Sequence, residues 1–364
     1  MDAATFIRTL REASFSPFMG VPCSVFTPLI DLLAASPGGE HYVCTSEGEA
    51  MGLAGGFALA GSLPVVYMQN DGFGNAVNPL SSLQLLYRLP ALLLISWRGE
   101  PGLKDAPQHR VMGIALRGLL DQLQVPYRVL EDGAAALDQA LVQARDHCRT
   151  ASTPFAFIIR KGYFAPGKKP AAPEAGVLCQ RLDYIQLLAA AADAGDVLLG
   201  ATGFSGRELQ QYTLHQGRFY MMGSMGCLPA LGLGLAARHS RRTVFVLDGD
   251  GALLMKLGSL ATIGHYRPGN LVHVLFDNQA YESTGGQPSV APGIDFCAVA
   301  RACGYPAQEE VSSIPRFKEL LAALAGRAKP LFVHVRIQCG TPAGLPRPEQ
   351  SPEQMRDDLM AFLD

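Results

Sequence analysis

Short apolar runs bounded by glycine, proline or polar residues recur along the first half of the chain, at residues 41–45, 64–69, 90–97 and 154–160. Their length and apolar content predict buried strands. Between them, residues 47–60, 73–88 and 111–124 have helical spacing, and Phe6, Leu10 and Phe15 predict a helix near the start. This alternation favours a parallel sheet with helices on both faces.

The same alternation begins again in the second half. Strands are predicted at residues 196–200, 243–248, 270–277 and 331–338, and helices at 183–193, 205–215, 228–239, 252–265, 314–326 and 353–363. Between the halves, residues 165–176 are rich in Pro, Ala and Lys and predict a surface linker. We therefore predict an α/β fold of two similar parallel-sheet domains, residues 1–164 and 183–364, joined by a linker at 165–182.

Composition narrows the class of protein. With 48% apolar and 17% charged residues the chain is not a disordered one. The net charge of −2 offers no attraction for nucleic acid or membranes, and no run reaches the ~18 apolar residues of a membrane helix. The eight cysteines form no CxxC motif, and no targeting segment is apparent. We expect reduced structural thiols in a cytoplasmic protein.

Two predicted strands of the second half end in residues that carry chemistry. Gly249-Asp250-Gly251-Ala252 follows one strand, and Asn278 follows the next. In a parallel sheet these ends meet at the edge where ligands bind. The glycines let backbone amides approach a phosphate at a helix start, and Asp250 and Asn278 supply the oxygen ligands that Mg²⁺ prefers. The sequence predicts a magnesium–diphosphate site; the alternative is an ordinary strand–helix turn.

This segment resembles the signature of thiamin-diphosphate-dependent enzymes, in which GDG precedes a metal-binding Asn. The resemblance implies that Asp250, Asn278 and the backbone carbonyl of Ala280 bind Mg²⁺, which holds the diphosphate of the cofactor. It also places the diphosphate beside Gly249, Gly251 and Ala252. The expected cofactors are thiamin diphosphate and Mg²⁺.

Residues 45–61 resemble the helix of this family whose glutamate faces the aminopyrimidine ring of the cofactor. The spacing to the later glycines selects Glu47 over Glu49, and the implied catalytic role of Glu47 is to share a proton with that ring. The alternative is a helix-start acid that satisfies the helix dipole.

Two further segments resemble cofactor-binding turns of the family. In Gly223-Ser224-Met225-Gly226, Met225 would support the bent cofactor and the Gly223 carbonyl would accept from its amino group, unless Met225 only fills the core. Thr202 and Gly203 would contact the diphosphate.

Within the family, residues 68–75, 98–109, 160–162 and 285–287 resemble the phosphonopyruvate decarboxylases, with sulfopyruvate decarboxylases next. The implied reaction is non-oxidative decarboxylation of a small 2-oxo acid, 3-phosphonopyruvate, to phosphonoacetaldehyde and CO₂. A second anionic group on the substrate needs basic or polar donors. The candidates are Arg98, Lys104, His109, Asn70 and Tyr281. An ordinary solvated loop is the alternative for the basic residues.

Two positions depart from the pattern and leave the exact substrate open. Tyr163 stands where a small hydroxylated residue is expected, and Tyr281 followed by Glu282 stands where a His is expected. The resemblance further implies a homo-oligomer, at least a dimer, because the glutamate and the diphosphate site of this family belong to different subunits.

Three competing classes fit the sequence less well. A NAD-dependent dehydrogenase needs GxGxxG after the first strand, and no glycines have that spacing. A cysteine hydrolase needs an activated thiol beside a His, and no cysteine stands out. A non-catalytic regulatory or binding subunit would be expected to lack Glu47 or the pair Asp250 and Asn278, and all three are present.

Overall fold

The computed structural model describes residues 1–36, 40–166 and 178–364, which form two compact units. One unit contains the described residues up to 166 together with Thr284–Val290, and the other contains the remainder. Thr284–Val290 is tied to the first unit by Thr27, whose Oγ1 donates to the Thr284 carbonyl at 3.0 Å and accepts from Gln287 Nε2 at 3.0 Å. Most of the predicted linker at 165–182 lies outside the described residues, and the predicted domain limits stay a prediction.

The first unit is built on a parallel sheet of six strands within the described residues. These strands are β1 (Phe15–Gly20), β2 (His41–Val43), β3 (Leu63–Gln69), β4 (Leu92–Trp97), β5 (Tyr127–Val129) and β6 (Phe155–Arg160). The helices are α1 (Ala3–Glu12), α2 (Thr27–Ala35), α3 (Glu47–Leu59), α4 (Asn70–Pro79), α5 (Arg110–Gln122) and α6 (Ala134–Thr150). The strand order is β2-β1-β3-β4-β6-β5.

The second unit also has six parallel strands in its main sheet, as far as the chain is described. The strands of this unit are β7 (Val197–Gly200), β8 (Arg218–Tyr220), β9 (Val244–Gly249), β10 (Leu271–Asp277), the two-residue β11 (Ala280–Tyr281), β13 (Ala307–Val311) and β14 (Leu331–Arg336). The two-residue β12 (Gln287–Pro288) lies in the segment Thr284–Val290 of the first unit. The helices are α7 (Arg181–Ala191), α8 (Phe204–Tyr212), α9 (Leu228–Arg238), α10 (Asp250–Met255), α11 (Gly258–Tyr266), α12 (Phe296–Ala302), α13 (Ile314–Ala322) and α14 (Pro352–Leu363). The main sheet runs β13-β14-β10-β9-β7-β8.

Both sheets have the same topology. Counted from the first strand of each unit, the order of both is 2-1-3-4-6-5. The prediction of two similar parallel-sheet α/β domains is therefore confirmed. In sheets of this kind ligands bind outside the carboxyl ends of the strands, at the point where the strand order reverses. That point lies between β1 and β3 in the first unit and between β7 and β9 in the second.

The central strands are largely apolar because each sheet is covered on both faces. In β4, Leu94 belongs to one core cluster of the first unit and Leu93 to the other, and both are fully buried. Each such side chain contributes about 1.5–3 kcal/mol relative to exposure. A charged residue at Leu94 would therefore disrupt the packing of one whole face.

The predicted elements differ from the observed ones where local geometry overrides the apolar pattern. Phe15 does not extend the first helix: α1 ends at Glu12, Ser14 has a φ of 70°, and Phe15 begins β1. The predicted helix at 252–265 is two helices, α10 and α11, because the chain leaves helical geometry at Lys256. The predicted helix at 73–88 continues past Pro79 as a π-helix, Leu80–Leu85.

The eight cysteines all lie within the described residues, and all are free thiols. In the same part of the chain no helix is long and apolar enough to cross a membrane.

Candidate active site

Asp250 and Asn278 follow the carboxyl ends of two adjacent strands. In the parallel pairing of β9 and β10, Gly249 lies opposite Phe276, so both residues come just past the paired ends. Asp250 begins α10 and is 3% exposed, and Asn278 is half-buried in the loop after β10. Neighbouring strands lie about 4.8 Å apart. The loops that follow β9 and β10 therefore lie close together, as the sequence predicted.

Residues 277–282, which follow β10, form what we call the Asn278 loop. Two turns made by side chains fix its backbone: Asp277 Oδ1 accepts from the Gln279 amide and Asn278 Oδ1 accepts from the Ala280 amide, both at 3.1 Å. Gln279 has a φ of 59°. The Asn278 amide nitrogen donates to Glu282 Oε2 at 2.9 Å. Both ends of the Asn278 side chain are therefore held.

Glu282 belongs to a buried ion-pair network that the sequence did not predict. Arg181 donates through Nε and Nη2 to the two carboxylate oxygens of Glu208, both at 2.9 Å, and through Nη1 to Glu282 Oε2 at 3.1 Å. The Gly340 amide donates to Glu282 Oε1 at 2.6 Å. Burial alone would lower the pKa of Arg181, but Glu208 and Glu282 raise it, so the guanidinium stays charged.

Buried Asp–His pairs lie directly beneath the two strand ends. His273 Nε2 is 3.4 Å from Asp248 Oδ2, and His334 Nε2 is 2.9 Å from Asp277 Oδ2. Asp248 Oδ1 also accepts from the amide of Gly249 at 3.0 Å. Each pair joins a strand end to a neighbouring strand.

The predicted cofactor segments at 202–203 and 223–226 lie next to each other, and the second of them packs against α10. Thr202 Oγ1 donates to the Met222 carbonyl at 2.7 Å, beside Gly223. A Cβ at Gly226 would lie 2.8 Å from the Ala252 carbonyl oxygen, so that turn packs against α10. Gly203 and Gly226 have φ values of 93° and 84°, a region that glycine favours. Met225 is half-buried in this turn.

The surroundings of the GDG segment suit a diphosphate and a hard cation. A Cβ at Gly249 would meet nothing within 4 Å, which leaves its backbone open to a ligand. Gly251 packs against Tyr281, where a Cβ would lie 2.6 Å from the ring, so Tyr281 supports the turn. Within the described residues no group of three or more His, Cys, Asp or Glu could hold a metal. One acid, one amide and one carbonyl fit Mg²⁺ only when phosphate oxygens and water complete its shell.

Glu47 and Glu49 have different surroundings at the start of α3 in the first unit. Glu49 is exposed, and its Oε2 accepts from the amide and the hydroxyl of Thr45, both at 2.7 Å. Glu47 is 4% exposed, and Asn75 Nδ2 donates to its Oε2 at 2.8 Å. A Cβ at Gly72 would lie 2.0 Å from Glu47 Oε1. Only a glycine at position 72 leaves room for the buried carboxyl.

The predicted substrate residue Arg98 is part of an internal ion pair. Its Nε and Nη2 donate to the carboxylate of Asp105 at 2.7 and 2.6 Å, and the side chains of both are 12% exposed. Burial alone would raise the pKa of Asp105, but Arg98 and the amides of Ala106 and Gly99 hold it well below its usual value. Asn70 exchanges hydrogen bonds with the Arg98 backbone, at 2.8 and 3.0 Å. These contacts shape the loop at 98–109.

The other predicted substrate residues are placed differently. His109 is 7% exposed, and its Nδ1 lies 2.7 Å from Asp71 Oδ2, which also accepts from Gln69 Nε2 at 2.7 Å. Lys104 is exposed at the tip of the same loop. Tyr163, which departs from the family pattern, packs in the aromatic core of the first unit, 5.2 Å from the ring of Phe164, and burial raises its pKa to about 12.

The two units of the chain match two domain families of known proteins. Residues 3–120 match the N-terminal TPP binding domain of thiamine pyrophosphate enzymes, and residues 193–335 match the C-terminal TPP binding domain. Phosphonopyruvate decarboxylase of Streptomyces viridochromogenes is 36% identical over 384 residues, 100% of this chain and 95% of its own. The enzyme of the same name from Streptomyces hygroscopicus is 34% identical over 377 residues, with 100% and 94% covered.

Sulfopyruvate decarboxylase of Methanosarcina acetivorans is 29% identical over 383 residues, covering 98% of this chain and 96% of its own. The resemblance seen in the sequence motifs is thus confirmed over the whole length of the chain. Both cofactor-binding domains of the family are present, in the expected order. The chain therefore belongs to the thiamine pyrophosphate enzyme family.

Proposed function

We propose that this protein is a decarboxylase, dependent on thiamin diphosphate and Mg²⁺, that converts 3-phosphonopyruvate into phosphonoacetaldehyde and CO₂. The observation that carries the proposal is the buried carboxyl of Glu47, held by Asn75 in space that Gly72 leaves free. A carboxyl that is kept from water and held by an amide donor suits a proton-sharing role. The whole-length relatives support both the reaction and the substrate.

In this reaction the bond between C1 and C2 of the 2-oxo acid breaks, CO₂ leaves, and C2 gains a proton. When bound, thiamin diphosphate would supply a nucleophilic carbon and an electron sink for this reaction. Glu47 would hold a proton at a ring nitrogen of the aminopyrimidine, with its orientation fixed by Asn75.

The second unit would bind the charged end of the cofactor. Asp250, Asn278 and the carbonyl of Ala280 would hold Mg²⁺, because they supply hard oxygen donors at one sheet edge. Amides at the start of α10 would contact the diphosphate, where the helix dipole favours negative charge. The remaining proposed cofactor contacts are Thr202, Gly203, Gly223, Met225, Gly249, Gly251 and Ala252.

We assign the anion of the substrate to the loop at 98–109. Lys104 is the exposed cation, and His109 is oriented by Asp71. Because Asp105 already neutralises Arg98, Arg98 serves chiefly to shape the loop, together with Asn70. Tyr281 supports the GDG turn through its ring and stays a candidate for substrate contact.

The test is a screen of CO₂ release from phosphonopyruvate, sulfopyruvate and pyruvate, with thiamin diphosphate and Mg²⁺ present. We expect the highest kcat/KM for phosphonopyruvate, and no release when Mg²⁺ is removed. Sulfopyruvate is the second candidate because of the relative from Methanosarcina acetivorans. A higher kcat/KM for sulfopyruvate would reassign the substrate, and no release from any 2-oxo acid would favour a non-catalytic subunit.

We also propose a homo-oligomer, at least a dimer, with Glu47 of one subunit serving the diphosphate site of another. The support is the family arrangement that the sequence motifs imply. Closed two-fold assemblies are the commonest homo-oligomers. Light scattering on the purified protein gives the subunit number directly.

A further inference from the structure

The carboxylate of Glu282 lies between a buried cation and the side chain of Asn278. Its Oε2 accepts from Arg181 Nη1 at 3.1 Å and from Asn278 Nδ2 at 2.9 Å, and its Oε1 accepts from the Gly340 amide at 2.6 Å. Arg181 is 5% exposed and is itself held by the fully buried Glu208. Glu282 therefore has little freedom to turn.

These contacts determine the orientation of the Asn278 side-chain amide, that is, the positions of its Oδ1 and Nδ2 atoms. A flipped amide would set its oxygen against the Glu282 carboxylate and its NH₂ group against the Ala280 amide, which now donates to Asn278 Oδ1 at 3.1 Å. Both new contacts would be repulsive, since like ends of hydrogen-bonding groups would meet. An amide oxygen has two lone pairs, and the Ala280 amide uses one.

The network also affects the local charge. Arg181, Glu208 and Glu282 together carry one net negative charge, behind the loop that contains Asn278. Because Arg181 and Glu208 are buried and Glu282 is half-buried, that charge is less screened than one at the surface. It adds to the negative charge of Asp250 and favours a divalent cation at this edge.

We propose that Glu282 is the positioning residue of the magnesium site: backed by Arg181 and the Gly340 amide, it fixes the Asn278 side chain so that the amide oxygen faces the cation. This inference rests on the proposed function, because it requires Asn278 to bind Mg²⁺. Residues that orient metal ligands in this way commonly change metal affinity by 10–100-fold when replaced.

Binding of Mn²⁺ in the presence of thiamin diphosphate, followed by the EPR signal of free Mn²⁺, tests the role without any turnover. Glu282→Gln keeps the size of the side chain but removes its charge and one acceptor. We expect its Mn²⁺ Kd to rise by about tenfold or more. The matched control is Glu349→Gln, the same change at an exposed glutamate of the same unit, whose Kd should not move.

Thermal unfolding without cofactor shows whether each variant folds. If Glu282→Gln does not fold, Glu282→Asp replaces it: the shorter side chain keeps the charge but cannot span the contacts, and its Kd should also rise. An unchanged Mn²⁺ Kd in a folded Glu282 variant overturns the inference.

Asp250→Ala separates this inference from the proposed function. If Asp250→Ala weakens Mn²⁺ binding and the Glu282 variant does not, only the positioning role is wrong. If Asp250→Ala leaves the Kd unchanged, the magnesium site itself is misplaced and the positioning role fails with it.

Discussion

At the scale of single residues, Glu47 and Glu49 show which features of the site could be predicted from the sequence. Both acids stand in the first turn of α3, and residue type alone does not separate them. The motif selects Glu47, and the structure gives a physical difference: Glu49 bonds Thr45 at the surface, whereas Glu47 is buried. The contributions of Asn75 and Gly72 were not predictable, because they depend on how α4 packs against α3.

We predict that Glu47→Gln binds thiamin diphosphate but loses on the order of 10²-fold or more in turnover, since the amide cannot share a proton with the pyrimidine. Calorimetry of cofactor binding and steady-state kinetics measure the two effects. Glu49→Gln is the control and should keep most of its activity, because that acid is exposed and bonds Thr45, just before the helix. Full activity in Glu47→Gln would contradict the assignment.

Gly72 and Gly74 provide a matched pair of substitutions in α4. A methyl group at Gly72 must displace the Glu47 carboxyl, whereas at Gly74 it meets nothing within 4 Å. Because a shift of about 1 Å in a reacting group can cost 10²-fold in rate, we expect Gly72→Ala to lower kcat by at least about tenfold. Gly74→Ala should leave kcat unchanged and stabilise the helix by roughly 0.5–1 kcal/mol. Equal kcat values for the two variants would argue against a role for the Glu47 position.

The loop at 98–109 contains two basic candidates for binding the substrate anion, and the structure separates their roles. The sequence predicted the same anion-binding role for Arg98 and Lys104, but in the structure Arg98 forms an ion pair with Asp105. Lys104→Gln should therefore cost phosphonopyruvate about 1.5–3 kcal/mol of binding, the scale of a charge-assisted hydrogen bond, and leave pyruvate turnover nearly unchanged. Arg98→Gln should lower kcat/KM for both, because it leaves Asp105 unpaired. A Lys104→Gln loss that is equal for both substrates would remove Lys104 from the anion site.

At the scale of elements, long and largely apolar strands were predictable, whereas β1, β5, β8 and β13 were not. β1 (FSPFMG) was missed because Phe15 continues the helical spacing of Phe6 and Leu10. β9 and β10 are largely apolar, and Asp250 and Asn278 follow the ends of these two adjacent strands, as the sequence predicted. β5 and β8 have only three residues, and β13 (AQEEV) is polar, so their pairing with a neighbour defines them. Glu282 was missed for the same reason: its partner Arg181 is distant in sequence and adjacent only in the fold.

The edge strand β2 gives the fold a sensitivity to acid. Burial of His41 lowers its pKa from the usual 6.5 to about 4, and its Nε2 lies 2.8 Å from the Tyr67 hydroxyl. The folded state therefore binds fewer protons there than the unfolded state, so stability from this group is complete above pH 6.5 and declines as the pH falls from 6.5 towards 4. In His41→Gln the imidazole that takes up this proton is absent. We expect the urea midpoint of the variant to fall less than that of the parent between pH 7 and pH 5, and an equal fall would contradict the pKa shift.

At the scale of the whole molecule, two units share one strand order although their sequences show no repeat. A parallel α/β unit specifies only where apolar runs and turns occur, so many sequences satisfy it. The pattern therefore predicted two similar domains, whereas the different chemistry of each unit had to be identified from motifs. Glu47 belongs to one unit, and the proposed magnesium site belongs to the other.

The proposed sharing of sites between subunits predicts complementation between two inactive variants. Glu47→Gln lacks the proton-sharing carboxyl, and Asp250→Ala lacks a charged metal ligand. In a mixed dimer, one site would join the intact Glu47 of one subunit to the intact Asp250 of the other, and the second site would carry both defects. After subunit exchange of equal amounts, we expect about a quarter of the parent activity, because half of the dimers are mixed and each has one intact site. Glu47→Gln mixed with the double variant is the control and should stay inactive. If exchange is demonstrated by mass spectrometry and no activity returns, each site is built from a single chain.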